Sequence, residues 1–244
     1  MISAADTAPR CAEASIVDMR AARYDGLADD YAAFLDEHPQ YYRLAADALA
    51  RLLGEGDGKC LDVGCGTGHF VPVAAGLGWT VTGTDISSDQ LDRARSRLTG
   101  VDLVQADATE LPFASATFDA AYSTFTHTDL DDFAGAMQET RRVLRPGGRL
   151  VYVGNHPAFV GATQEHGAHG LPRLHPGYRR FGRWDAQDAP GTTADGWRAR
   201  LGSFVHVPLA PFLEAFRGLA LQAVEELDDG FDYPKTIALA WTKP

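Results

Sequence analysis

Residues 60–70 read CLDVGCGTGHF, a short apolar run that ends at Asp62-Val63 and passes into glycines at alternate positions, Gly64, Gly66 and Gly68. No other stretch constrains the chain as strongly. It is the pattern of a strand turning sharply into a helix around a ligand. Glycine has no Cβ, so the turn can be tight and its backbone can approach what it holds. The N–H groups that open the next helix favour an anionic group. A dinucleotide fingerprint requires G-x-G-x-x-G, whereas here the spacing is G-x-G-x-G and His69 stands at the third dinucleotide position. A P-loop requires Gly-Lys-Ser/Thr, which is absent. Taken alone, the glycine trio is also compatible with a structural turn.

The following segments narrow the choice. WTVTGTD (79–85) reads as a second strand ending at Asp85, 21 residues beyond Gly64. An acidic residue at that distance is placed to accept from ribose hydroxyls. The alternative role is a helix cap, since Ser87, Ser88 and Asp89 follow, and the two roles can coexist. VDLVQAD (101–107) reads as a third strand ending at Asp107, whose carboxylate or neighbouring backbone can meet an adenine edge. A fourth strand lies near Phe118–Ser123, and RPGGRLVYVG (145–154) supplies a turn and a fifth. Helices are expected over Thr67–Gly76, Ser88–Leu98 and Asp131–Leu144. In the last, Phe133, Met137, Thr140 and Leu144 recur at helical spacing. Such alternation implies a parallel sheet wound on both faces. Ligands in such sheets bind at the carboxyl ends of the strands, where Asp62, Asp85, Asp107 and Ser123 all fall.

The series LDVGCGTGHF, TGTDIS, QADATELPF, FDAAYST and VLRPGGRLVYV resembles the class I S-adenosylmethionine-dependent methyltransferases, and within them the small-molecule group. The match runs in order and at the usual spacing from about residue 20 to about residue 155. The resemblance implies an α/β, Rossmann-like fold: a seven-stranded, mostly parallel sheet with helices on both faces, an antiparallel last strand, N-terminal helices and a lid insertion. It implies S-adenosyl-L-methionine as cofactor and S-adenosyl-L-homocysteine as its product. Carried over residue by residue, Gly64, Cys65, Gly66 and Gly68 would hold the methionine part, with Asp62 supporting the ammonium region. Asp85 would hold the ribose hydroxyls and Ile86 would pack on adenine. Asp107 and Ala108 would read the adenine edge, and Ser123 would offer backbone toward the ammonium group. Tyr24, in AARYDGLADDYAAFL, would be a lid on the methionine moiety; ordinary aromatic packing on a helix face is the alternative.

Composition restricts the acceptor. The 244 residues carry a net charge of −11, and nucleic-acid binding leans on Lys and Arg neutralising phosphates. After the fourth strand stands Ser123-Thr124-Phe125-Thr126-His127, not the Asp/Asn-Pro-Pro-Tyr type of motif found in adenine and glutamine amide methyltransferases. A small-molecule substrate is expected, with no nucleic acid and no membrane. No apolar run approaches the length of a span, and the first twenty residues lack a signal-peptide core, so a cytoplasmic monomer or homodimer is the expectation. Three lysines to nineteen arginines, with abundant alanine, suggest a bacterial source. Cys11, Cys60 and Cys65 show no zinc spacing and no paired framework. Cys60 reads as a small buried residue and Cys65 as a loop residue near the ligand.

The organisation expected is a flexible tail over 1–12 and one methyltransferase domain over 13–244. That domain divides into a helical cap at 13–53, a cofactor-binding core at 59–154, a substrate lid at 155–205 with some short helix, and a final helix and edge strands at 206–244. The helix is expected over 208–217, and Ala220–Leu227 with Thr236–Thr242 as an antiparallel hairpin at the sheet edge. The lid departs from the core pattern, and a connection this long in a compact domain is functional or disordered.

Deprotonating an acceptor hydroxyl needs a base, and histidine titrates in the right range. His127 follows the fourth strand, His156 the fifth, and His166 lies in the lid. His156 ranks first, His127 second and His166 third. The context Asn155-His156-Pro157 favours a fixed orientation. Each also reads as a histidine bonded to loop backbone or as a pocket wall. His166-x-x-His169, with Glu165 and His175, lies among loop-forming residues, so no metal is assigned. The expected reaction is O-methylation of a secondary-metabolite acceptor. The alternatives are N- or C-methylation, or a cyclase or isomerase using the cofactor as scaffold.

Overall fold

The computed structural model describes residues 22–166, 172–189, 201–228 and 230–244. Two helices open it, α1 (Ala28–Glu37) and α2 (Pro39–Leu53). The core follows as β1 (Lys59–Val63), α3 (Val71–Gly76), β2 (Thr80–Asp85), α4 (Ser88–Arg97), β3 (Asp102–Gln105), β4 (Phe118–Thr124), α5 (Phe133–Val143) and β5 (Leu144–Asn155). After β6 (Gln164–His166), β7 (Pro172–Leu174), β8 (Gly182–Asp185) and β9 (Ser203–His206), the chain ends with α6 (Leu209–Glu214), β10 (Ala220–Glu226) and β11 (Thr236–Thr242). Seven strands form one sheet in the order β10-β11-β5-β4-β1-β2-β3. Strands β1 to β5 are mutually parallel, and β11 runs antiparallel between β5 and β10. The expected sheet, with its reversed last strand, is therefore present.

The alternation along the strands shows why both faces are covered. Leu61 and Val63, Leu150 and Tyr152, and Ile237, Leu239 and Trp241 point to one face, where α5 and α6 add Phe133, Met137 and Phe212, and the turn after α6 adds Phe216. Cys60, Tyr122, Val151, Val153, Ala238 and Ala240 point to the other, against Ala45, Ala48, Leu49 and Leu53 of α2 and Val71 and Ala74 of α3. A period of two with apolar residues in both phases is the sequence form of a strand buried on both faces.

One expectation shifts. The helix expected from Thr67 begins at Val71, because Gly68 sits at φ +76°, which a right-handed helix does not contain. The described part of the lid holds two strand pairs: β6 pairs with β7, and β8 with β9, both antiparallel. Trp184 of β8 and Phe204 of β9 are buried with Ala162 and Ala189 as a separate small core, and the Arg180 guanidinium lies 4.0 Å from the Trp184 ring. The tail at 1–12, Cys11 and His169 lie outside the described residues. No helix among the described residues is long and apolar enough to cross a membrane.

Candidate active site

The carboxyl ends of β1, β2 and β4 meet at the glycine turn. Gly64, Gly66 and Gly68 have φ of +74°, +52° and +76°, values that glycine adopts without a Cβ penalty. The Thr84 carbonyl accepts from both the Gly64 and Cys65 N–H groups at 2.8 Å, tying the turn to the end of β2. A Cβ on Gly64 would stand 2.6 Å from Cγ2 of Thr126. Thr126 cannot retreat freely, since its hydroxyl is bonded at 2.7 Å to Ser123 Oγ, which also lies 2.8 Å from the Val63 carbonyl. Gly64→Ala should therefore lower stability by about 2–5 kcal/mol, adding backbone strain to overpacking. Chemical denaturation measures this directly; an unchanged midpoint would show that the turn can relax.

Asp85 ends β2 and joins two elements. Its Oδ2 accepts from the Gly66 N–H and its Oδ1 from the Ser87 N–H, both at 2.9 Å. Burial raises its pKa, and these backbone bonds oppose the rise. Asp62, on β1, is fully buried, and neither carboxylate oxygen has a hydrogen-bond partner. Burial pushes its pKa up to about 8; the hydroxyl of Tyr122, its cross-strand neighbour, pulls it down, and the Asp85 charge adds to the rise. Tyr122 comes close enough to moderate the charge but does not meet hydrogen-bonding geometry. Such a carboxylate is costly unless a cation or donor arrives. The Cys65 thiol is held well above its ordinary pKa by burial and by Asp62 and Asp85, so it stays protonated and is not a nucleophile.

The remaining sequence candidates are distributed around this centre. Ile86 is half-buried beside Asp85, and its carbonyl accepts from Gln105 Nε2 at 2.9 Å. Asp107 Oδ1 accepts from the Thr109 N–H at 2.8 Å and hydroxyl at 2.7 Å, closing a turn that fixes half-buried Ala108. Ser123 is fully buried, and its hydroxyl is spent on the bonds that join β4 to β1. Tyr24 lies in a turn over residues 22–27, its ring edge-on to Tyr31 at 5.5 Å. Tyr31 in turn reaches Gly66: its Cε1 is 3.7 Å from where a Gly66 Cβ would be. The turn is fastened on both sides. Ser87 Oγ donates to Asp25 Oδ1 at 2.6 Å, and Arg23 donates to the carbonyls of Ser203 and Asp129. The N-terminal segment thus bridges α4, the β4 loop and the lid.

The histidines are set apart. His127 is buried among Phe133, Tyr152 and Phe212, with Nδ1 2.5 Å from the Tyr152 hydroxyl. His156 is buried at the end of β5; Nδ1 accepts from the Ala158 N–H at 3.1 Å, which leaves the hydrogen on Nε2, 3.1 Å from Glu226 Oε1. Burial lowers the His156 pKa and Glu226 offsets part of the drop. His166 lies on β6 with its backbone paired to Pro172; its side chain falls outside the described residues. Among the described residues no group of three or more His, Cys, Asp or Glu could hold a metal ion.

Sequence reasoning missed several groups. Phe125, just past β4, adopts φ +57°, a strained value for a bulky residue and one that concentrates at functional sites. Its N–H donates to the Val153 carbonyl at 2.8 Å. Arg97 donates to the Thr67 carbonyl at 3.2 Å and lies 2.6 Å from His69 Nδ1, bracing the glycine turn from α4. Burial, then Arg97, pushes the His69 pKa down to about 4, so this ring is neutral at physiological pH. No periodicity marks these residues, because each acts through a contact between distant segments.

The chain matches known proteins along its core and beyond it. The family profile described as a methyltransferase domain matches residues 61–152. A malonyl-[acyl-carrier protein] O-methyltransferase of Enterobacter lignolyticus is 32% identical over 202 residues, 80% of this chain and 76% of that protein. The O-methyltransferase resE of Aspergillus sclerotiorum is 38% identical over 115 residues, 44% of each chain. The structure of an S-adenosylmethionine-dependent methyltransferase from Mesorhizobium loti superposes with a TM-score of 0.65 at 25% identity, covering 81% of this chain and 96% of that one. The match extends well past the glycine turn on both sides: this chain belongs to the class I S-adenosylmethionine-dependent methyltransferases.

Proposed function

We propose that the chain O-methylates a small, secondary-metabolite acceptor held between the strand ends and the lid. The observation that carries the donor site is Asp62, a buried carboxylate with no partner at the glycine turn. A group bearing an α-ammonium fits there, since it supplies both the charge and the hydrogen bonds that Asp62 lacks. Asp62 and the turn of Gly64, Cys65, Gly66 and Gly68 would then hold the amino-acid end, and Asp85 the ribose. Ile86, Asp107 and Ala108 would line the adenine end, with the Tyr24 turn closing above and Ser123 setting the β4 edge. Bound there, S-adenosylmethionine supplies an activated methyl group. The chain's own contribution is to orient the acceptor and exclude water, and orientation can supply about 7–11 kcal/mol of such a barrier. Two relatives named as O-methyltransferases support oxygen as the acceptor atom.

His156 remains first among the candidate bases. Glu226 on one ring nitrogen fixes the tautomer and would stabilise the imidazolium, the arrangement seen when a carboxylate orients a base. To take a proton, Nδ1 must release the Ala158 N–H. His127, bonded to Tyr152 within an aromatic cluster, is second. His156→Ala should lower turnover by about 10²-fold or more while leaving S-adenosylhomocysteine affinity within about twofold. Acceptor-dependent release of S-adenosylhomocysteine tests the whole reading. Full turnover in the variant would remove His156 as base and leave His127 or an acceptor that arrives already ionised.

A further inference from the structure

We propose that the surface where the lid meets α6, two apolar grooves joined at Pro211, docks an acidic amphipathic helix of a partner protein. None of the residues lining it belongs to the glycine turn or to β1 and β2, so the inference goes beyond the transfer reaction and does not depend on it. Residues 172–184, PRLHPGYRRFGRW, carry Arg173, Arg179, Arg180 and Arg183 and no acidic residue, in a chain whose net charge is −11. Structure puts this basic run beside apolar surface. The first groove, of about 510 Å³, is lined by Tyr178, Arg179, Pro208, Pro211 and Leu213. The second, of about 370 Å³, is lined by Phe181, Val207, Pro211 and the paired Glu214 and Arg217. Leu213 in the first and Phe181 in the second are 41% and 54% exposed, so each groove leaves a large apolar side chain in water.

The surface is preformed. The Tyr178 hydroxyl accepts from the Leu209 N–H at 3.0 Å, and the Tyr178 carbonyl accepts from His206 Nε2 at 2.7 Å. Pro208 and Pro211 have fixed φ, so little needs to be ordered on binding. Arg183 is spent on Asp131 and the Ser203 hydroxyl, and Arg180 lies over the Trp184 ring. Arg179 has no ion-pair partner among the described residues. Its planar fork matches a carboxylate. A helix with apolar residues at i, i+4 and i+7 fills grooves of this kind, and carboxylates flanking that row would meet Arg179 and Arg180. The apolar contacts give affinity, and the charges give orientation and speed of encounter. The overall negative charge opposes an anionic membrane, and the mainly apolar lining does not suit a phosphate backbone.

The probe is a fluorescein-labelled helical peptide with leucine at i, i+4 and i+7 and glutamate on the flanking positions. It is titrated against the full chain by anisotropy, beside the same peptide with glutamine in place of glutamate. The glutamate peptide should bind about tenfold more tightly, and the advantage should shrink as salt rises from about 50 to about 500 mM. Arg179→Glu should remove the advantage, while Leu213→Ser should weaken both peptides about tenfold. Both positions are exposed, so the melting temperature and S-adenosylhomocysteine affinity of each variant should match the wild type. Equal binding of the two peptides, or an advantage retained in Arg179→Glu, overturns the inference. Tighter binding of a single-stranded oligonucleotide or of phosphatidylglycerol vesicles, lost in Arg179→Glu, also overturns it. So does a wild-type dimer that Leu213→Ser makes monomeric, which would give the face to a second copy of the chain. A wild type that fails to bind S-adenosylhomocysteine overturns the donor reading alone.

Discussion

Replacing Asp85 with Ala is expected to weaken S-adenosylhomocysteine binding by about 10²–10⁴-fold, through loss of at least two charge-assisted contacts of about 1.5–3 kcal/mol each. The effect is large because Asp85 has two duties. Its carboxylate holds the Gly66 N–H and the Ser87 N–H, so its removal frees the glycine turn and the start of α4 together. It would also remove the acceptor for the ribose. Calorimetry separates these duties when Asp85→Asn is measured beside Asp85→Ala. The amide can still accept from one N–H, so Asn should recover part of the folding stability but little of the affinity. An Ala variant with wild-type affinity would end the ribose assignment.

Asp62→Asn is expected to abolish the pH dependence that Asp62 gives to both stability and binding. In the empty protein Asp62 keeps its proton up to about pH 8, whereas in the unfolded chain it loses it at an ordinary carboxylate value of about 3.9. Between those values the folded state binds the extra proton, so raising the pH through this window lowers wild-type stability, and the loss is complete above the folded pKa. At about 1.4 kcal/mol per pKa unit the full effect reaches a few kcal/mol. The Asn variant should therefore gain on the wild type as pH rises from about 4 to about 8 in denaturant titrations. Ligand binding should move the other way. An ammonium group needs the ionised carboxylate, so wild-type affinity for S-adenosylhomocysteine should rise toward pH 8, while the Asn variant binds weakly with no such slope. Adenosine, which has no amino-acid end, should bind both proteins alike. A slope that persists in the variant would mean that another group titrates.

Much of the core was legible because its signals are local. Thr236–Thr242 alternates apolar residues in both phases and is strand β11 as expected. The cap expected among Ser87, Ser88 and Asp89 is Ser87 at the start of α4, and the helix expected over Asp131–Leu144 is α5, Phe133–Val143, capped by Asp132. The strand–helix alternation of residues 59–155 fixes a parallel sheet, and hence the edge at which a ligand sits. The lid was less legible. Its hairpins depend on Trp184 meeting Phe204 across twenty residues, and no short-range pattern announces such a pair.

The turn at Gly64–Gly68, the acidic ends of β1 and β2, and the family itself follow from the sequence, because glycine conformations and strand periods are properties of neighbouring residues. Tertiary structure decided which of those residues have unmet needs. Only packing shows that Asp62 is sealed without a partner and that Asp85 holds both the Gly66 and the Ser87 N–H groups. Only packing shows that His156 is held between Ala158 and Glu226. Charge and hydrogen-bond satisfaction depend on groups brought together from distant segments, and the chain order alone does not record which of them will meet.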